Sequence, residues 1–530
     1  MCHPTSSSAG ERPTAMVRLS PAVSPLRGPS RSADDNVSYA LLPGMGQITF
    51  MKIPNAVKSV LALAGSNGFR IGAQLVLLPV LARLLGPEPY GLVALAMPFV
   101  LVTNLVADAG LGGALVREKE LDATTESTIF WLTLALSLAL AGGLALLSAP
   151  FAWLASEPQL APLIVALAPV VVMSALVTVP NARLHSAGRF TAFAAGDVGS
   201  TAAGALVAVG GAYAGWGAWA LVGQQLCAWT VKLAIVSWQA GFTPRLRFDA
   251  ARCRPHLAFG VHSLGSRIAD FLARNLDNLI VGRALGVGPL GVYSMAYQII
   301  RLPEMLVGGP LFMVIFPAIA RTGSRAERVR LYGVALSGVS LAVAPLAAGL
   351  AMTADLLVEA VLGPKWVAVG APLAMLAPVS FVLCVFAVTS AVLLGIGRAD
   401  LQFRNALGLA GATLAGVGAG VWFGLTGTAA GLLSATLLVG VPLLASSARA
   451  VGMRPGAMLA ALRQSVGCAI VMAGAVALTR QVELAPLPQL IACVLAGGAA
   501  YACAVALSGW RDLANQIRSL QAAPTQPKGA

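Results

Sequence analysis

The chain has 530 residues, 57% of them hydrophobic and only 11% charged, and its mean hydropathy is +0.80. Soluble domains carry about 25% charged residues, so this composition argues against a soluble enzyme or binding module and for an all-α polytopic membrane protein. Basic residues outnumber acidic ones by 35 to 21, but they sit in short clusters between apolar runs, which speaks against nucleic acid as a partner.

Residues 1–55 are rich in Ser, Pro and Arg, lack apolar periodicity and lack the apolar core of a secretory signal. They read as a disordered cytoplasmic tail, with Met45 or Met51 as alternative first residues. The cysteines at 2, 227, 253, 384, 468, 493 and 503 form no CxxC pair, and the histidines show no ligand spacing, so neither a metal nor a cofactor is expected.

A membrane-crossing helix needs about 20 mainly apolar residues. Fourteen stretches qualify: 58–81, 90–113, 128–149, 160–182, 192–213, 216–238, 258–282, 290–318, 329–353, 368–394, 403–424, 427–447, 459–479 and 487–508. They divide the chain into the tail 1–55, a six-helix bundle 56–240, a basic linker 241–256, a second six-helix bundle 257–450, an additional helix pair 451–510 and a C-terminal tail 511–530. Alternate loops differ sharply in charge. One set holds clusters such as Arg245, Arg247, Arg252 and Arg254, or Arg321, Arg325, Arg328 and Arg330; the other holds only Arg83, Arg283, Lys365 and Arg480. The positive-inside rule then places both termini in the cytoplasm. Trp131, Trp153, Trp216, Trp238, Trp366, Trp422 and Trp510 fall at predicted span ends, where an amphipathic ring prefers to sit.

The chain contains a duplication. "LARLLGPEPYGLVALA" (81–96) aligns with "VGRALGVGPLGVYSMA" (281–296) at a constant offset, matching Arg83/Arg283, Leu85/Leu285, Gly86/Gly286, Pro89/Pro289, Gly91/Gly291 and Ala96/Ala296. An even number of spans separates the copies, so both halves enter the membrane in the same direction. Parallel repeats of this kind, related by an axis along the membrane normal, are a transporter architecture with substrate held between the halves.

The predicted seventh span carries Arg267, Asp270, Arg274 and Asp277 at 3-4-3 spacing, a single helical stripe. A charge at the bilayer centre costs about 2.5–3.5 kcal/mol or more, so the stripe is expected to face a watery interior. The first span offers Asn67, Arg70 and Gln74 at the corresponding positions. The second adds Asn104 and Asp108, and the eighth Arg301 and Glu304. Together these place Arg70, Arg267, Arg274 and Arg301 as candidate anion-binding residues of a central cavity, with Asn67, Gln74, Asp108, Asp197, Asp270, Asp277 and Glu304 as cavity polar groups and candidates for binding a coupling ion. The plainer alternatives are structural ion pairs (Arg267 with Asp270, Arg274 with Asp277, Arg301 with Glu304), a helix cap at Asp108, and a snorkelling Lys232. Arginine's planar fork suits phosphate, and apolar flanks suit a lipid tail, so an amphiphile with a phosphate head is one expected cargo and a small anion another.

The runs "RLLGPEPYGLVALAMPFVLVTNLVADAGLGGALV" (83–116) and "NLDNLIVGRALGVGPLGVYSMAYQIIRLPE" (275–304), with "LFMVIFPAIAR" (311–321) and the Gly-Arg turns at 188–189 and 397–398, resemble the polysaccharide (O-antigen and exopolysaccharide) flippases of the multidrug/oligosaccharidyl-lipid/polysaccharide exporter superfamily. The resemblance covers about residues 55–450. It implies two six-helix bundles around an alternating-access cavity in the bacterial inner membrane. It also implies transport of undecaprenyl-diphosphate-linked oligosaccharides from the cytoplasmic to the periplasmic leaflet, for lipopolysaccharide or exopolysaccharide biosynthesis. The lipid bilayer, polysaccharide polymerase or export components, and H+ or Na+ as driving ion are the partners it suggests. A drug/cation antiporter of the same superfamily and a membrane polysaccharide polymerase are the competing readings. No nucleophile elbow, P-loop or other catalytic signature is found, so no enzymatic activity is expected.

Overall fold

The computed structural model describes residues 53–108, 123–246, 275–482 and 484–508, together with 115, 249 and 271. In chain order the helices are α1 (Ile53–Leu85), α2 (Pro87–Asp108), α3 (Ala123–Leu146), α4 (Ser148–Ala155), α5 (Leu160–Ser186), α6 (Phe190–Tyr213) and α7 (Ala218–Ala240). There follow α8 (275–285), α9 (Val287–Ile300), α10 (Gly309–Ala320), α11 (Arg325–Leu357), α12 (Gly370–Gly395), α13 (Ala399–Gly420), α14 (Gly424–Ala435), α15 (Val441–Val451), α16 (Pro455–Thr479) and α17 (Pro486–Ser508). The tail 1–52, most of the linker 241–256 and residues 509–530 lie outside the described residues.

Among the described residues, twelve helices are long and apolar enough to cross a membrane, two fewer than the sequence reading of fourteen. The difference has two sources. The predicted seventh span, 258–282, lies mostly outside the described residues. The predicted spans 403–424 and 427–447 form one helical stretch, Ala399–Val451, that turns back on itself at the 3-10 turn Val421–Phe423 and Gly424. The fold-back is set by small residues at four-residue spacing on both legs. A Cβ on Gly416 would lie 2.3 Å from the Gly431 carbonyl oxygen, and one on Gly420 would lie 2.2 Å from that of Gly427. This close backbone approach, available only to glycine, is how apolar helices associate in lipid without a hydrophobic driving force.

Three sharp corners share one end of the molecule. Gly86 (φ +83°) separates α1 from α2, Gly286 (φ +90°) separates α8 from α9, and Gly363 (φ +91°) separates the π-helical turn Val358–Leu362 from the 3-10 turn Pro364–Val369. With ψ near 180° at Gly286 and Gly363, the backbone sits in a region essentially reserved for glycine.

At this end α1 and the Val358–Val369 segment hold each other through reciprocal hydrogen bonds. Arg83 donates Nε–H to the Val361 carbonyl at 2.9 Å and Nη2–H to that of Ala360. In return Trp366 Nε1–H donates to the Ala82 carbonyl at 2.7 Å, and Lys365 Nζ to that of Leu84 at 3.2 Å. The freed carbonyls at the ends of both helical segments are thereby satisfied. Trp366 is fully buried, so it is not the interfacial tryptophan its position suggested. Its ring packs edge-on against Tyr90, centroids 5.3 Å apart, while Trp153, Trp238 and Trp422 are more than four-fifths exposed, as interfacial rings are.

The duplicated segments meet on this side. A Cβ on Gly91 of α2 would lie 1.8 Å from the Val287 carbonyl oxygen, and one on Gly291 of α9 would lie 1.9 Å from that of Pro87. Residues 87 and 287 are themselves repeat mates, so α2 and α9 cross in their first turns with each copy touching the other in the same way. Behind the crossing, Leu95, Ala96, Met295, Ala296 and Ile299 are buried in one core with residues of α5 and α12. At the periphery, α16 and α17 are fixed to α11 by Arg480, which bonds Asp355 and the Met352 carbonyl, and by Tyr501, whose hydroxyl donates to the Leu341 carbonyl at 2.9 Å.

Candidate functional site

A cavity of about 650 Å³ opens between α1, α2, α6 and α7, with α9 completing its wall. Its volume falls within the usual range of ligand sites, about 300–1,000 Å³. The corner end is closed by Leu81, Leu221 and Tyr90, which pack with Ala208, Ala212 and Ala220.

Three charged side chains line the cavity: Arg70 from α1, Asp197 from α6 and Lys232 from α7. Counting helix rise back from Leu85 in α1, from Tyr213 in α6 and from Ala218 in α7, they lie about 21–24 Å along their helices. Arg70 donates Nη2–H to the Asn67 Oδ1 at 2.8 Å, one turn back on α1. Lys232 Nζ pairs with Asp197 Oδ1 at 2.8 Å and lies 5.6 Å from the ring centre of Phe193 and 5.5 Å from that of Trp229. On the cavity wall the lysine thus faces a carboxylate and two aromatic rings. The pair is near neutral, which leaves Arg70 as the surplus charge on the described wall.

The other residues named from the sequence are distributed as follows. Gln74 lines the cavity beside Arg70. Asp277 does not; it is 3% exposed and accepts the Tyr293 hydroxyl at 2.9 Å on Oδ2 and its neighbour's Asn278 N–H at 2.9 Å on Oδ1, joining α8 to α9. Arg301 and Glu304 form an i,i+3 pair at 3.6 Å, at the junction of α9 with the π-helical turn Glu304–Gly308. They too lie off the cavity lining, as does Asp108, the last residue of α2. Asn104 accepts a hydrogen bond from Ser174 of α5. Arg267, Asp270 and Arg274 lie outside the described residues.

Several lining residues were not singled out from the sequence: Gln224, Gln225 and Trp229 of α7, Ser294 and Gln298 of α9, and Tyr90 of α2. The signal was present in α7, where Gln224, Gln225, Ala228, Trp229 and Lys232 recur at helical spacing on one face. An uncharged amide in an apolar span is less conspicuous than an arginine, and a search led by charge passes over it.

The polysaccharide biosynthesis protein family matches residues 80–370, more than half of the chain. The chain is 28% identical over 363 residues to the succinoglycan biosynthesis transport protein ExoT of Rhizobium meliloti, covering 68% of this chain and 73% of that protein. It is 26% identical over 346 residues to the lipopolysaccharide biosynthesis protein WzxC of Escherichia coli, covering 63% and 68% respectively. Among solved structures it resembles the lipid II flippase MurJ in an inward closed conformation. That match has a TM-score of 0.70 at 14% identity and covers 86% of this chain and all of the other. An inward-facing multidrug resistance transporter of the MATE family aligns with a TM-score of 0.58 at 16% identity, over 74% and 98%. At these identities the solved structures speak to fold, and the fold is that of a polytopic helical membrane protein. With the family match spanning the repeated corners, the α2–α9 crossing and the reciprocal bonds of Arg83, Lys365 and Trp366, the chain belongs to the polysaccharide biosynthesis protein family.

Proposed function

We propose that the protein carries lipid-linked oligosaccharide units across the membrane by alternating access, with the undecaprenyl-diphosphate-linked precursors of a surface polysaccharide as substrate. One observation carries the reading. A cavity of about 650 Å³ at membrane depth holds Arg70 beside an ion pair and is closed at the corner end. Intramembrane ionisable groups facing a cavity mark a substrate path, and a guanidinium matches a diphosphate in charge and geometry. The transport roles in the names of ExoT and MurJ support the direction of the reading.

The loop-charge asymmetry puts the corner end on the periplasmic side, so the substrate enters from the cytoplasmic leaflet. The diphosphate rests on Arg70, with Arg267 and Arg274 of the seventh span as further candidates. Transit requires the clasp at Arg83, Lys365 and Trp366 to release and the opposite end to close. Asp197 is the cavity carboxylate best placed to take up a driving H+ or Na+. The surplus positive charge on the wall suits an anionic head better than the cationic cargo of a drug antiporter.

The test is Arg70→Ala, with Arg70→Lys as control, in cells depending on this protein for export. With protein levels matched, the alanine variant is expected to lose about tenfold or more of surface polysaccharide and to accumulate lipid-linked sugar inside, while lysine restores part of the export. Normal export by Arg70→Ala removes the phosphate role assigned to it. Dye efflux that falls in parallel with unchanged polysaccharide moves the reading to drug transport.

A further inference from the structure

Beyond the charged residues, the cavity presents four carboxamides: Gln74 from α1, Gln224 and Gln225 from α7, and Gln298 from α9. Helix rise from the adjoining ends of α1, α7 and α9 (Leu85, Ala218 and Val287) places them at about 9–17 Å, nearer the closed end than Arg70, Asp197 and Lys232 at about 21–24 Å. The lining is therefore layered, with charge toward the open side and neutral amides deeper. None of the four amides hydrogen-bonds another described residue, although each is only partly exposed. Unpaired amides at membrane depth cost free energy unless water or a ligand satisfies them. Gln224 and Gln225 share a face of α7 with Trp229, and Gln298 and Ser294 present amide and hydroxyl groups from the other half of the chain.

We infer that this amide layer is a saccharide subsite that reads the hydroxyl groups of a neutral sugar attached to the diphosphate. A carboxamide offers two donors and one acceptor oxygen, which fits adjacent sugar hydroxyls, and an aromatic face suits the apolar face of a pyranose. No cationic side chain lies among the described residues of that layer to offset a sugar carboxylate. Among these described groups an acidic sugar would find no cationic partner of its own, so the amides favour a neutral one. The inference rests on the flippase reading above and extends it to the class of the first sugars.

The experiment measures binding of three probes to the purified full-length protein in nanodiscs: undecaprenyl diphosphate, the same lipid carrying one glucose, and the same lipid carrying one glucuronate. The wild type is expected to bind the glucosyl lipid about tenfold more tightly than the bare lipid, the gain of one or two net hydrogen bonds. The glucuronyl lipid should show no such gain. The double variant Gln224→Leu/Gln225→Leu, and separately Gln298→Leu on the opposite wall, should bring the glucosyl-to-bare ratio toward one, with elution profiles checking that each is folded. Arg70→Ala should weaken all three probes and leave the ratio standing. A ratio unchanged in both glutamine variants, or glucuronate bound as tightly as glucose, overturns the subsite while leaving the flippase reading intact. A wild type that binds none of the three lipids overturns both.

Discussion

Lys232 and Asp197 show how the bilayer changes the weight of one contact. Each side chain is only about a quarter exposed, so removing one partner strands the other's charge in a poorly hydrated wall. Breaking fully buried pairs costs about 3–5 kcal/mol, and partial hydration lowers the expected cost here to about 1–2 kcal/mol. Lys232→Met should therefore lower the melting temperature of the detergent-solubilised protein, and the double variant Asp197→Asn/Lys232→Met should recover most of the loss. A double variant as unstable as the single one contradicts an ionic role for the pair. The charges on the first, fifth and sixth spans were legible from the sequence because charge is rare in so apolar a chain. Which of them face one another was not legible. The 3-4-3 spacing predicts Asp277 in one stripe with three other charged residues, yet Asp277 bonds Tyr293 from the next helix. Helical periodicity assigns a residue to a face, and only packing decides what that face meets.

At the scale of elements, Gly and Pro punctuate the chain: Gly86 and Pro87 alone end one helix and begin the next. The hairpin Ala399–Val451 was read as two spans, and the two legs exist, but their continuity through a three-residue 3-10 turn lies below what composition reveals. Its packing gives a sharp contrast between two glycines of one helix. Gly416→Leu drives a side chain into the Gly431 carbonyl, whereas a Cβ on Gly418 meets nothing within 4 Å. Overpacking costs about 1–3 kcal/mol, so Gly416→Leu should lower the melting temperature markedly and Gly418→Leu should leave it near that of the parent. Equal effects from the two substitutions would argue against the glycine contact as what joins the legs.

For the molecule as a whole, the duplication was the most informative signal in the sequence, because one offset aligned two corners that also meet in space. The clasp was hidden. It joins Arg83 to residues some 280 positions away, and no local pattern points from α1 to Val358–Val369. Alternating access gives it a consequence that can be measured. Arg83→Ala removes two hydrogen bonds from the corner end and should shift the population toward the form open on that side. A cysteine at position 224 in a background lacking native cysteines should then react faster with an impermeant thiol reagent added from the periplasm, by about threefold or more for a bias near 1 kcal/mol. Labelling unchanged by Arg83→Ala would mean that the clasp does not govern opening.

The glycine crossing bears on how such a chain arises. Gly91 abuts Val287 while Gly291 abuts Pro87, which is the self-complementary geometry of an isologous dimer interface. A half-length ancestor pairing with its twin would have met it through the surface these two glycines still occupy. Fusion then lets the two walls diverge while this one point of contact stays bound by the original twofold fit.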